Sequence, residues 1–320
     1  MKSRWLLFLF ILSIFFNGYS QRKDIFIERE DSIVKLHKSI LSEPNTILRY
    51  QKNEQLLFLL EETLDLKNSM SYPFDSLKTI SVLTSPDRKI RIFSWYLVSD
   101  EGVHEHYGYL QAYNEEKKDY KLYSLIDKWK QINNPEAQVL SVWNWFGAMY
   151  TEIIEMNGIN NKTYYTLLGW NGRNIFSQCK VIEIMSLNNK GVPVFGAFVF
   201  KGYAKKRIMR IVFEYAKRSP FVLHYEKQFY TQKSAKKDKK TNKYSVDTLS
   251  ANMIIFNRLI PMDETLQDIP QFMVGEASLT DGFIEKDGKW LYIPDVIARN
   301  PDRHLPHREH KSKKFYTPLQ

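Results

Sequence analysis

The chain has 320 residues, 43% hydrophobic and 14% aromatic, with a formal net charge of +10. That apolar share excludes a disordered chain and supplies a sizeable core, enough for one large domain or two smaller ones. Its single cysteine, Cys179, excludes an intramolecular disulfide, so stability has to come from packing alone.

The N-terminus reads as an address. Lys2 and Arg4 precede Trp5 to Phe16, an apolar run broken only by Ser13. Gly18 and Ser20 then place small residues at the −3 and −1 positions of a cut before Gln21. A charged start, a short apolar run and a small-x-small site describe a secretory signal peptide over residues 1–20. A spanning helix needs about 20 apolar residues, and this run is shorter. Retention as an uncleaved anchor is the alternative. After cleavage the balance is 44 Lys and Arg against 36 Asp and Glu, or +8. The expected location is the periplasm or the cell exterior, soluble or peripheral.

Residues 21–68 are expected to be helical. Ile33, Leu36, Ile40 and Leu41 recur at helical spacing, "SEPN" breaks the pattern, and Leu56, Leu57, Leu60 and Leu64 form a second stripe. Two amphipathic helices joined by a short connection predict a pair packed on something larger.

Residues 69–298 change texture. "KIRIFSWYLV", "HYGYLQAY", "YKLYSLI", "KTYYTLLGW", "RIMRIVFEYA" and "ANMIIFNRLI" are short runs rich in Ile, Val, Tyr and Phe, separated by charged or turn-forming pieces. Asn157-Gly158, Asn171-Gly172 and Asp287-Gly288 tolerate positive φ and mark tight hairpins. Only "IFSQCKVIEIM" fits a short helix as well as a strand. The predicted fold is α+β and mostly β: an N-terminal helical pair on a large antiparallel meander, open or partly closed. A propeller ranks lower, because "TSPDRKIRIFSW" has no partner at a fixed period. Residues 299–320 read as a basic tail containing histidines.

Candidate sites are few. Trp143 and Trp145 lie two apart in "VWNWF"; on a strand they would share a face and offer sugar rings a flat platform, against the plainer reading of core aromatics. His104-Glu105-His106 has two alternating imidazoles but no third ligand assignable by spacing, and reads as a solvated loop. His304, His307 and His310 flank Pro306, which denies them a regular helix, so no metal site is assigned. No cofactor motif is present either. Cys179 sits among apolar neighbours as a buried small hydrophobe.

"KSAKKDKKTNK", with Lys233, Lys236, Lys237, Lys239, Lys240 and Lys243 against Asp238, reads as a long self-repelling loop. It would attract anionic headgroups or acidic polysaccharide rather than nucleic acid. Asn161-Lys162-Thr163 matches a glycosylation sequon, a frequent chance motif. Glu152 and Glu155 have odd spacing and cannot share a strand face. G-x-S-x-G, H-E-x-x-H, a phosphate-cradling glycine loop and C-x-x-C are all missing from the sequence.

"SPDRKIRIFSWYL", "YYTLLGWNGR" and "DGFIEKDGKWLYI" resemble stretches of an exported bacterial family of uncharacterised function. The resemblance implies bacterial export and a β-rich body behind a helical segment, and brings no catalytic residues. Two classes of function survive. One is a non-enzymatic envelope protein that binds a glycan, an envelope polymer or another protein. The other is an envelope hydrolase acting on polysaccharide or peptidoglycan, which would need two facing carboxyl groups about 5–10 Å apart.

Overall fold

The computed structural model describes residues 25–158, 162–203, 207–237 and 244–296. The expected signal segment, the sequon's Asn161, the connection at 238–243 and the histidine-containing tail lie outside the described residues.

Residues 25–41 form α1. Phe26, Glu30, Ile33, His37 and Ile40, alternately four and three apart, are its buried stripe. The two polar members have partners: Glu30 accepts the Tyr72 hydroxyl at 2.6 Å and the Ser76 N–H at 2.7 Å, and His37 Nδ1 meets Thr79 Oγ1 at 2.6 Å. Asn45 caps α2 (Thr46–Asp65) by accepting the Leu48 N–H at 3.0 Å. Asn53, Leu56, Leu60 and Leu64 are the buried face of α2.

Fifteen strands follow in three sheets. The first is a meander of β1 (Ser81–Thr84), β2 (Ile90–Val98), β3 (His104–Asn114) and β4 (Asp119–Ile126). Alternation divides its side chains: Phe93, Trp95, Leu97 and Tyr109 pack on the helices, while Ile90, Ile92, Leu110 and Ala112 pack on the second sheet.

The second sheet runs β5 (Leu140–Ser141), β9 (Pro193–Phe195), β8 (Ser177–Leu187), β7 (Thr163–Asn171), β6 (Met149–Asn157). β11 (Ile211–Ala216) pairs with the first half of β8 and β9 with its end. This sheet is covered on both faces. Cys179, Val181 and Met185 point at the first sheet, Ile182 and Ile184 at the third. A strand covered twice loses the apolar-polar alternation, which is why the "IFSQCKVIEIM" stretch, now β8, looks equally helical.

The third sheet runs β10 (Phe200–Lys201), β15 (Lys289–Ile293), β14 (Met273–Lys286), β13 (Tyr244–Pro261), β12 (Leu223–Lys237). Phe256, Phe283 and Trp290 face the second sheet. Pairing between named strands is antiparallel except for β10 with β15.

The fold is therefore α+β and mostly β, as the sequence predicts, with the meander divided into three open sheets stacked beneath a helical layer. None of these sheets closes into a barrel. Among the described residues no helix is long and apolar enough to cross a membrane. β12 and β13 stay paired as far as Lys237 and Tyr244, so the first part of the run read as a loop, Lys233–Lys237, is strand.

Candidate functional site

Trp143 and Trp145 do not form a platform. β5 pairs with β9 over only two residues, after which Val142–Asn144 wind into a 3-10 turn. In that geometry residues two apart point in different directions. Trp145 is fully buried, and its Nε1 donates to the Tyr150 hydroxyl at 2.9 Å. Trp143 stands alone, 70% exposed. The strand on which the paired reading depended is absent here.

An aromatic surface exists elsewhere. α2 crosses the helix-facing side of the first sheet and covers edge strand β4 only in part, beside a groove of about 660 Å³. Its lining includes Phe58, Glu61 and Asp65 from α2, Tyr120 and Lys121 from β4, and Lys117 beside it. Phe58 lies off the Leu56–Leu60–Leu64 stripe and is 65% exposed. Tyr109 closes the floor, donating to Glu61 Oε2 at 3.2 Å and to the Leu57 carbonyl at 3.1 Å. Burial, reinforced by Glu61, pushes the Tyr109 phenol above its usual range, so it stays a donor. The groove thus offers an apolar ring, carboxylate acceptors and ammonium donors in one concave strip.

Glu61 and Asp65 are one turn apart on the same helix. They would meet a polymer from the same side; Asp119 of β4 also lines the groove, and glycosidic hydrolysis would need it to face one of them across the scissile bond. Glu152 and Glu155 separate as their spacing requires: Glu152 accepts the Tyr225 N–H of the third sheet at 3.1 Å, and Glu155 the Asp87 N–H beside the first at 3.2 Å.

His104 and His106 are not in a solvated loop. They open β3 and are 8% and 2% exposed. Asp127, at the end of β4, accepts from the His106 backbone N–H at 2.9 Å and lies 3.1 Å from His106 Nδ1. The Trp129 N–H holds its other oxygen at 2.9 Å. An Asp at Nδ1 leaves Nε2 as the acceptor, but that atom is buried and has no partner among the described residues, as is His104 Nδ1. Burial first, then Lys217 and His106, lowers the His104 pKa to about 4. The ring also fills the space beside Gly172, where a Cβ would lie 2.1 Å from it. His104 is thus packed internally, whereas His106 and Asp127 also line a pocket of about 340 Å³ with Glu105, Trp129 and Lys130.

Cys179 is completely buried, and burial pushes its thiol up to about 12, so it is not a nucleophile at neutral pH. Among the described residues no group of three or more His, Cys, Asp or Glu converges on a metal position. Phe58 is the residue that sequence reading passed over. Its signal was an aromatic on the polar side of an amphipathic helix, among Glu61, Glu62 and Asp65. No family model matches the chain, and neither a curated relative nor a solved structure matches it.

Proposed function

We infer that this is an exported envelope protein that binds a glycan, without turning it over, in the groove between α2 and β4. The observation that carries the reading is the exposed Phe58 ring flanked by Glu61, Asp65, Lys117 and Tyr120. A sugar presents an apolar C–H face and a rim of hydroxyls. The ring takes the first by burying area, and carboxylates and ammonium groups take the second by hydrogen bonding. The groove's size lies within the usual range for ligand sites. Export rests on Lys2, Arg4, the apolar run and the Gly18-Tyr19-Ser20 site, and is checked by N-terminal sequencing of the secreted chain, which should begin at Gln21.

The binding test is a thermal-shift screen with oligosaccharides from envelope polymers and peptidoglycan. At 100 times its dissociation constant a ligand raises the midpoint by several degrees. Phe58→Ala should weaken binding about tenfold or more while changing stability by less than about 0.5 kcal/mol, since the ring is mostly solvated. Trp143→Ala should leave affinity unchanged. A glycan shift that survives Phe58→Ala would place the site elsewhere, and release of new reducing ends would make the protein a hydrolase.

A further inference from the structure

The β12–β13 hairpin outruns its own sheet. β14 pairs with β13 only over Met253–Pro261, so, among the described residues, positions 244–252 have β12 as their one strand neighbour. At a strand's rise of about 3.3 Å per residue, this ribbon reaches about 30 Å past the last position paired to β14.

The side chains on the ribbon do not suit solvent. Val246 is 63% exposed, Tyr244 53%, and Phe229 and Leu249 41% each. Register places Val246 on the face that carries Phe229, and Leu249 on the opposite face with Tyr230. Both faces therefore present large apolar groups along a two-stranded element, which has little stability of its own in water. The same segment is cationic. From residue 227 to residue 237 the strand carries Lys227, Lys233, Lys236 and Lys237 and no acid, and residues 244–252 carry only Asp247.

Excess lysine alone would fit any polyanion, and exposed aliphatic groups alone would fit an uncharged protein face. Their combination on one narrow projection matches the surface of an anionic bilayer. There apolar side chains sink below the headgroups, while lysine stems lie along the apolar boundary and carry their ammonium groups to lipid phosphates. We propose that the β12–β13 ribbon is a membrane-docking element that recognises anionic phospholipid. This inference is independent of the groove on α2, which lies on the helical layer rather than on the third sheet.

The test is co-sedimentation of the full chain with vesicles of phosphatidylcholine alone or with about a third phosphatidylglycerol. Binding should be at least about tenfold tighter to the anionic vesicles and should weaken steeply with salt. Each lysine near the surface contributes about fivefold, so Lys233→Gln/Lys236→Gln/Lys237→Gln should remove about a hundredfold. Val246→Ser/Leu249→Ser should lower binding to anionic vesicles with the thermal midpoint unchanged. Equal binding to the two kinds of vesicle overturns the proposal. So does anionic binding that the lysine variant leaves intact. If the serine variant binds vesicles normally and the wild type binds a soluble sulfated polymer equally well, the ribbon is a polyanion site and not a membrane element. A concentration-dependent dimer abolished by the same variants would assign the ribbon to self-association.

Discussion

Arg210 and Glu183 are both completely buried, and their contact is the most consequential single pair in the second sheet. Arg210 Nε donates to Glu183 Oε2 at 2.7 Å. The rest of the guanidinium reaches the carbonyls of Pro135, Gln138 and Phe195, so it ties the loop before β5 to β8 and β9. Removing one partner strands a charge without water. Arg210→Met is therefore expected to cost about 3–5 kcal/mol, and Glu183→Leu/Arg210→Met to recover much of that. Urea titrations of the three proteins decide it, and a single variant within 1 kcal/mol of wild type, on the order of an ordinary surface change, would refute the argument.

Two histidines set an acid limit. Burial lowers the His37 pKa from 6.5 to about 4, and burial with Lys217 and His106 does the same to His104. In the unfolded chain both take up protons at their ordinary value, so between 6.5 and about 4 the unfolded state holds more protons. Their contribution is complete above that window, falls as the pH drops through it, and is gone below it. Each accounts for up to about 3 kcal/mol at the lower end. Denaturant midpoints from pH 7 to pH 4 should show the fall, and His104→Gln should flatten part of it. An unchanged slope in that variant would mean that His104 is not the group responsible.

At the scale of elements, the sequence was most legible where one face is wet. α1 and α2 keep their stripes, but of the three dipeptides expected to mark tight hairpins only Asp287-Gly288 takes positive φ; Asn157-Gly158 and Asn171-Gly172 end β6 and β7 ahead of longer connections. Asp287 and Gly288 have φ of 53° and 69°, joining β14 to β15 through a two-residue turn whose twist suits a hairpin. Gly288 is needed twice over. Its φ disfavours a side chain, and a Cβ there would lie 2.7 Å from the Gly158 backbone of the neighbouring turn. Gly288→Ala is expected to cost about 1–3 kcal/mol, read as a lowered thermal midpoint; a neutral result would show that the two turns separate freely.

Legibility failed where an element is covered on both faces or changes direction. β8 offered no alternation, because sheets lie on either side of it. The paired indoles failed because Val142–Asn144 form a 3-10 turn, and nothing in "VWNWF" separates a strand from a turn. His104 and His106 looked like loop residues because their burial comes from Asp127, Trp170 and Gly172, distant in sequence. The groove was hidden for a related reason. Phe58 is visible on α2, but its partner surface is an edge strand more than fifty positions away.

For the whole molecule, the helical segment and the sheets do not separate. Phe93, Trp95, Leu97 and Tyr109 of the first sheet share one core with Ile33, Ile40, Leu56 and Leu60 of the helices. Trp95 Nε1 also donates to Asn53 Oδ1 at 2.9 Å. Limited proteolysis in the connection near residue 68 is expected to leave the two pieces associated under native conditions, and the body from residue 69 alone should expose large apolar area and aggregate. Recovery of that body as a soluble, cooperatively melting fragment would instead establish two independent domains.

The partnership of β10 with β15 carries a consequence for how the molecule is made. Trp290 is completely buried and donates its indole N–H to Thr166 Oγ1, 124 positions earlier, at 2.8 Å. A nascent chain that has emerged only as far as β14 has already laid down most of the second sheet, yet it has a vacant socket where that indole belongs. Closing so long a loop is slow and offers no reward until the ring arrives. The polypeptide therefore stays incompletely packed through most of its synthesis and locks late. A ribosome that stops short of Trp290 releases a product without its keystone.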